Sequence, residues 1–161
     1  MDSGRANIIN EAIRAIGIRH RALAGLLLAP LNLHPGQEVI LLELGAEGPR
    51  SQHQLANASG CEPPTITNSV RKLEAAGLVA RQPSPTDGRV TIVELTDAGH
   101  DLLPRLRQAW QALAEQTVAG LTSTPLDSLT HTLVDLAASL NEGGSVEVAP
   151  SELRRSPESS G

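Results

Sequence analysis

Apolar residues recur every three or four positions along most of the chain, which is the spacing of one face of an α-helix. The pattern predicts a first helix that stops near Pro30 and a second that begins with Pro35 and stops at Gly45. A third helix begins after Ser51, which has the spacing of a capping box with Gln54. The stripe of the first helix consists of Ile9, Ile13, Ile16, His20, Leu23 and Leu27.

The segment EPPTITNSVRKLEAAG predicts a fourth helix, with Glu62 as its cap, two prolines in its first turn and Gly77 after its end. Ile66, Val70 and Leu73 form one apolar stripe on this helix and predict the face that packs on a core. The runs LVAR and RVTIVEL follow on either side of QPSPTDG. They predict a β-hairpin with a long tip.

Two further helices are predicted after the hairpin. The first is capped by Thr96, contains Pro104, and directs Leu102, Leu106, Trp110, Leu113 and Thr117 to one side. The second begins at Thr124 and Pro125, and its leucines have the spacing of a helix–helix seam: Leu126, Leu129, Leu133, Leu136 and Leu140. Such a seam needs a partner surface, either within one subunit or on a second copy of the chain. We favour the second copy.

These elements predict a mostly α-helical fold with a small β-hairpin wing, a winged helix-turn-helix between dimerisation helices. The apolar residues support this class, because they are nearly all aliphatic, with one Trp and no Phe or Tyr. We expect an N-terminal dimerisation helix in 1–34, the winged helix-turn-helix in 35–98, C-terminal dimerisation helices in 99–141 and a disordered tail in 142–161.

The fourth helix carries short polar residues where better helix formers would stabilise it more. Thr65, Thr67, Asn68, Arg71 and Lys72 fall on its outward face or flanks, and such side chains contact phosphates and base edges in a major groove. In the wing, Asp87 is placed to orient the guanidinium of Arg89 toward a minor groove. The alternative is an ordinary Asp-Gly turn with an incidental arginine.

Charge and residue types narrow the function further. The net charge of −5 argues mildly against nucleic-acid binding, but the stretch from Pro49 to Leu95 has five basic residues against four acidic ones. One cysteine, no leader and no long apolar run favour a soluble cytoplasmic protein without a membrane partner. Phosphate loops, catalytic motifs and metal-ligand spacings are absent from the sequence, so we expect neither an enzyme nor a metal or cofactor.

The string SQHQLANASGCEPPTITNSVRKLEAAGLVARQPSPTDGRVTIVELTDAG resembles the multiple-antibiotic-resistance-regulator (MarR) family, and the resemblance covers residues 8–141. It implies a homodimer in which each winged helix-turn-helix binds half of a pseudo-palindromic operator. Ser84 and Gly88 stand at wing-tip positions where the family often has an acid and a second arginine. The expected DNA-binding residues are Ser51, Thr65, Thr67, Asn68, Arg71, Lys72, Arg81, Asp87 and Arg89.

The resemblance also implies a repressor that a small aromatic or anionic effector releases from DNA. Candidate effector contacts are cationic or apolar residues of the flanking helices: Arg19, His20, Leu23, His34, Arg105, Arg107 and Trp110. Three alternatives stay open. One is a winged-helix module that binds protein and not DNA, another is a redox-responsive regulator that uses Cys61, and the third is a constitutive regulator without any ligand.

Overall fold

The computed structural model describes residues 1–142, which form one compact unit over Met1–Gly120 and the start of a second from Leu121 onward. The predicted tail, 142–161, lies outside the described residues except for Glu142, the last residue of a helix. Helices predominate, and a three-stranded sheet lies among them. The predicted fold class is therefore confirmed.

The first helix, α1, spans Ser3–Leu28 and begins at Asp2, whose carboxylate accepts a hydrogen bond from the backbone N–H of Arg5 at 2.9 Å. A short 3-10 turn, Ala29–Leu31, follows and ends at Asn32, which has a positive φ of 55°. The predicted stop near Pro30 is confirmed.

The predicted limits of the second helix are wrong at both ends. Helix α2 spans Gln37–Glu47, after Gly36 in a left-handed conformation, and it runs through Gly45 to Gly48. Gly45 lies inside the helix, and its missing side chain leaves room for a neighbour. A Cβ at this position would lie 2.7 Å from Cδ1 of Leu103.

The helix-turn-helix consists of α3, Gln52–Ser59, and α4, Pro63–Ala75. The capping box is confirmed: Ser51 Oγ accepts from the Gln54 N–H at 3.2 Å, and Gln54 Oε1 accepts from the Ser51 N–H at 2.9 Å. Gly60 makes the turn with a φ of 59°. Glu62 occupies the cap position of α4, but its side chain makes no capping hydrogen bond.

The sheet contains the predicted hairpin and a strand that the sequence did not indicate. Strands β2, Val79–Pro83, and β3, Thr91–Leu95, pair antiparallel as expected. The additional strand β1, Arg50–Ser51, pairs with the other edge of β3 and gives the order β1-β3-β2. Because Ser51 also caps α3, this short strand attaches the start of the helix-turn-helix to the wing.

Helix α5 spans Asp97–Val118, and Thr96 caps it through the N–H of Gly99 as predicted. The predicted inward face is partly wrong, because Leu103 is buried where Leu102 was expected. Trp110 is 41% exposed in the single chain. The buried stripe of α5 consists of Gly99, Leu103, Leu106 and Leu113.

One hydrophobic core joins the helix-turn-helix to α2, α5 and the sheet. The predicted stripe of α4 is confirmed, since Ile66, Val70 and Leu73 are at most 2% exposed. The largest other fully buried side chains are Ile40, Leu41, Leu55, Val79, Val93 and Leu106. This packing holds the opposite side of α4 toward solvent.

The second unit contains helix α6, Leu126–Glu142. Four leucines of its predicted seam, Leu126, Leu133, Leu136 and Leu140, are 41–66% exposed in the single chain. No helix within residues 1–142 has the length and apolar character that crossing a bilayer requires.

Candidate nucleic-acid interface

The outward side of α4 carries polar residues that were predicted from the sequence. Thr65, Asn68, Arg71 and Lys72 are all exposed. Asn68 and Arg71 are three positions apart, so they lie side by side on the helix surface, opposite the buried stripe. An amide and a guanidinium on a rigid helix are suited to paired hydrogen bonds with the edges of purine bases.

Thr67 lies on the flank of α4 and is half-buried. Its Oγ1 lies 3.0 Å from the carbonyl oxygen of Pro63 and 3.1 Å from Oε1 of Gln52, and it donates toward both. The structure therefore places the hydroxyl of Thr67 inside the helix-turn-helix, beside a residue that the sequence pattern did not indicate.

Ser51 is half-buried at the N-terminal end of α3, where its Oγ accepts from the Gln54 N–H. As an acceptor in the capping box it retains its own O–H for donation to an acceptor outside the helix. The position supports the predicted contact with a phosphate, because helix N-termini favour negative charge.

Arg81, expected at the start of the wing, forms an ion pair with Glu74 in the last turn of α4. Its Nε donates to Glu74 Oε2 at 2.8 Å, and one terminal nitrogen lies 2.5 Å from the same oxygen. The hydrogen bond from Arg81 lowers the pKa of the Glu74 carboxyl below its usual 4.5 and raises that of Arg81. The pair therefore contributes stability above the usual carboxyl pKa, and this stability is lost as the pH falls through the lowered pKa of Glu74 and its carboxylate becomes protonated.

We expect the charge of Arg81 to contribute little to DNA affinity, because Glu74 already neutralises it. The double variant Glu74→Gln/Arg81→Gln should keep the parent dependence of log Kd on log salt concentration. Arg89→Gln should lower the slope by about one for each phosphate that Arg89 neutralises in the parent. If the double variant also has a lower slope, Arg81 contacts phosphate and leaves Glu74 when DNA binds.

The wing tip is organised differently from the predicted carboxylate–guanidinium contact. Asp87 Oδ1 accepts from the backbone N–H of Arg89 at 3.0 Å, and Ser84 Oγ accepts from the N–H groups of Thr86 and Asp87. Arg89 is exposed and forms no ion pair with any residue in 1–142. Asp87 therefore shapes the turn, and the guanidinium of Arg89 extends from it.

Arg50 is a structural residue of this surface that was not predicted from the sequence. One of its terminal nitrogens lies 2.6 Å from Glu47 Oε2, and its Nε lies 3.9 Å from Glu43 Oε1. These contacts hold β1 against the end of α2. The signal available in the sequence was weak, because an arginine seven residues after a glutamate has many other possible partners.

Comparisons with known proteins agree with this geometry. The profile of the MarR family matches residues 33–91. The transcriptional repressor NicR of Pseudomonas putida is 31% identical over 115 residues, which cover 71% of this chain and 73% of that protein. The chain belongs to the MarR family. Members of this family are transcriptional regulators and not enzymes.

Solved structures of MarR-type regulators share the fold. A probable transcriptional regulator from Pseudomonas aeruginosa is 32% identical, with a TM-score of 0.70 over 82% of this chain and 96% of that one. A cysteine-to-serine mutant of MarR from E. coli, complexed with operator DNA, is 22% identical, with a TM-score of 0.72 over 87% of this chain and 99% of that one.

The candidate effector contacts of this MarR-family chain do not share one pocket. Arg19, His20 and Leu23 line a cavity of about 290 Å³ between α1 and the end of α5. His34 lines a second cavity, of about 290 Å³, beside the turn before α2. Arg105 lines a third, of about 480 Å³, with Asp101 and apolar residues of the turn after α1 and of the segment before β2. Trp110 and Arg107 are exposed on α5.

Cys61, the residue of the redox alternative, lies in the turn between α3 and α4. Its side chain is half-buried and its Sγ lies 3.5 Å from the carbonyl oxygen of Ser59, to which it donates. In this position Cys61 is a small residue of the turn, and its thiol makes one weak hydrogen bond.

Proposed function

We propose that this MarR-family regulator is a homodimeric repressor, active in the cytoplasm, that binds a pseudo-palindromic operator. The observation that carries the proposal is the outward face of α4, where Asn68 and Arg71 stand side by side on a helix held by a buried stripe. Each subunit places α4 in the major groove of one half-site and Arg89 of the wing in the adjacent minor groove. E. coli MarR, which has the same fold, is known with operator DNA bound.

Exposed apolar residues support the dimer. In α1, Ile8, Ile9, Ile13 and Ile16 are 41–69% exposed in the single chain, although isoleucine is usually buried. The exposed leucines of α6 form the seam described above. Exposed apolar surface of this kind marks an interaction site, and a second copy with the same stripes buries both.

Repression in this proposal is steric, because a dimer on the operator occupies the DNA that polymerase needs. An anionic effector binds better to a dimer whose two α4 helices are spaced wrongly for the half-sites, and it therefore shifts the population away from DNA. The cavity of Arg19 and His20 is the effector site we propose, because the cationic guanidinium of Arg19 stands there beside apolar walls.

The proposal is tested by selecting sequences that the purified protein binds from random double-stranded DNA. We expect a two-fold symmetric winner with half-sites about one helical turn apart, bound by two copies of the chain as measured by sedimentation. Affinity for the winner should fall steeply with salt concentration.

The same selection can contradict the proposal. If no sequence is enriched over random DNA even at low salt, the DNA-binding proposal is wrong. The module that binds protein would then be the better interpretation of the outward face of α4. Binding of a single copy to an asymmetric site would contradict the dimer alone.

A further inference from the structure

Gln52 and Thr67 make a side-chain contact that joins the two helices of the helix-turn-helix. Gln52 is the first residue of α3, and Thr67 lies in the second turn of α4, fifteen residues later. The contact between Thr67 Oγ1 and Gln52 Oε1 measures 3.1 Å, and both side chains are half-buried. Because the single proton of the hydroxyl is shared with the Pro63 carbonyl oxygen, Thr67 has no second proton to donate to DNA.

The remaining donor capacity of this pair lies on the amide nitrogen of Gln52. This nitrogen donates no hydrogen bond to any group within residues 1–142, and it is not enclosed in the core. Gln52 follows the cap Ser51, and its contact with Thr67 brings it against the first turns of α4. With its oxygen held by Thr67, the amide has its N–H₂ group oriented before any partner arrives.

We propose that Gln52 donates from its amide N–H₂ group to a DNA backbone phosphate and that Thr67 is a positioning residue that holds this amide. The inference rests on the proposed function and deepens it. Phosphate contacts set the register of a recognition helix on the duplex. A long side chain that is already ordered loses less conformational entropy when it makes such a contact.

The test is a double-mutant cycle on the selected operator. Gln52→Ala and Thr67→Val should each weaken binding at least about tenfold, because a hydrogen bond to a charged group such as a phosphate contributes about 1.5–3 kcal/mol. Because Thr67 acts through Gln52, the double variant should lose no more than Gln52→Ala alone, and not the product of the two losses. Thr67→Ser, which keeps the hydroxyl, should bind like the parent.

Thr130→Val is the matched control. Thr130 Oγ1 donates to the Leu126 carbonyl oxygen at 2.9 Å, as Thr67 does to Pro63, but it lies on α6 and not on the helix-turn-helix. This variant should keep the parent affinity, and the thermal midpoints of all variants should show that each one is folded.

The chemical nature of the contact is tested by operators with a single methylphosphonate, which replaces one charged phosphate oxygen by a methyl group. We expect one position per half-site at which the substitution weakens the parent but leaves Gln52→Ala unaffected. The loss caused by Gln52→Ala should be the same on operators with altered bases, because a phosphate carries no sequence information.

Three results separate the possible failures. Multiplicative losses in the cycle would mean that Thr67 touches DNA itself, and the positioning role would be wrong. Parent affinity for Gln52→Ala would overturn the phosphate contact. Failure of the parent to bind any selected DNA would overturn the proposed function, and it would be seen before any variant is made.

Discussion

Arg71→Ala is expected to weaken binding of the operator by about 30-fold or more and to reduce the preference for operator over random DNA. Arg71 is exposed on α4 and forms no ion pair within residues 1–142, so its five N–H donors are available to a base pair. A bidentate contact between arginine and guanine contributes about 1–3 kcal/mol of discrimination, and a dimer makes the contact twice.

Arg89→Ala is the matched control for this prediction, because it removes the same charge from the wing. We expect its loss to be similar on operator and random DNA, with a lower salt slope, since a wing arginine senses minor-groove potential. Titration of both variants against both DNAs at several salt concentrations measures the difference. Equal binding by Arg71→Ala and the parent would remove Arg71 from the interface.

Gly99→Ala is expected to destabilise the unit that contains the helix-turn-helix by about 1–3 kcal/mol or more, as overpacked cores do. Gly99 is buried in the first turn of α5. A Cβ at this position would clash with the carbonyl oxygen of Leu78 and would lie 3.1 Å from Cδ2 of Leu95. The carbonyl belongs to the backbone and accepts from the Thr96 N–H at 3.1 Å, so neither side of the clash moves freely.

This cost outweighs the gain of about 0.5–1 kcal/mol that alanine ordinarily provides over glycine inside a helix. Gly17→Ala is the control, because a Cβ on Gly17 meets no atom of the single chain within 4 Å. We expect the thermal midpoint of Gly99→Ala to fall by roughly 5–10 °C and that of Gly17→Ala to stay level or rise. A parent-like midpoint for Gly99→Ala would show that the start of β2 and α5 separate easily.

Elements whose cause is local were predicted well from the sequence. The capping box of Ser51 and Gln54, the prolines that open α4 and the stripe of Ile66, Val70 and Leu73 each depend on residues at most seven positions apart. The hairpin depends on two short runs beside a turn. These signals were sufficient for the fold class and, with the motif string, for the family.

Long-range packing explains the elements that were misplaced or missed in the sequence-based predictions. Gly45 lies inside α2 and packs against Leu103, 58 positions later, which occupies the space that a side chain would need. Strand β1 has two residues and exists because β3 presents a free edge beside it. The hydrophobic pattern of the sequence indicates neither the packing of Leu103 on Gly45 nor the pairing of β1 with β3, because a single glycine and two polar residues add nothing to that pattern.

The sequence by itself determined which residue types face outward on α4 and in the wing, because helical and strand periodicity assign a face to each position. Only the tertiary structure decided how two of those side chains are engaged: Arg81 is neutralised by Glu74, and Thr67 holds Gln52. The physical reason is that a hydrogen bond depends on separations of a few tenths of an ångström, and packing of several elements sets those separations.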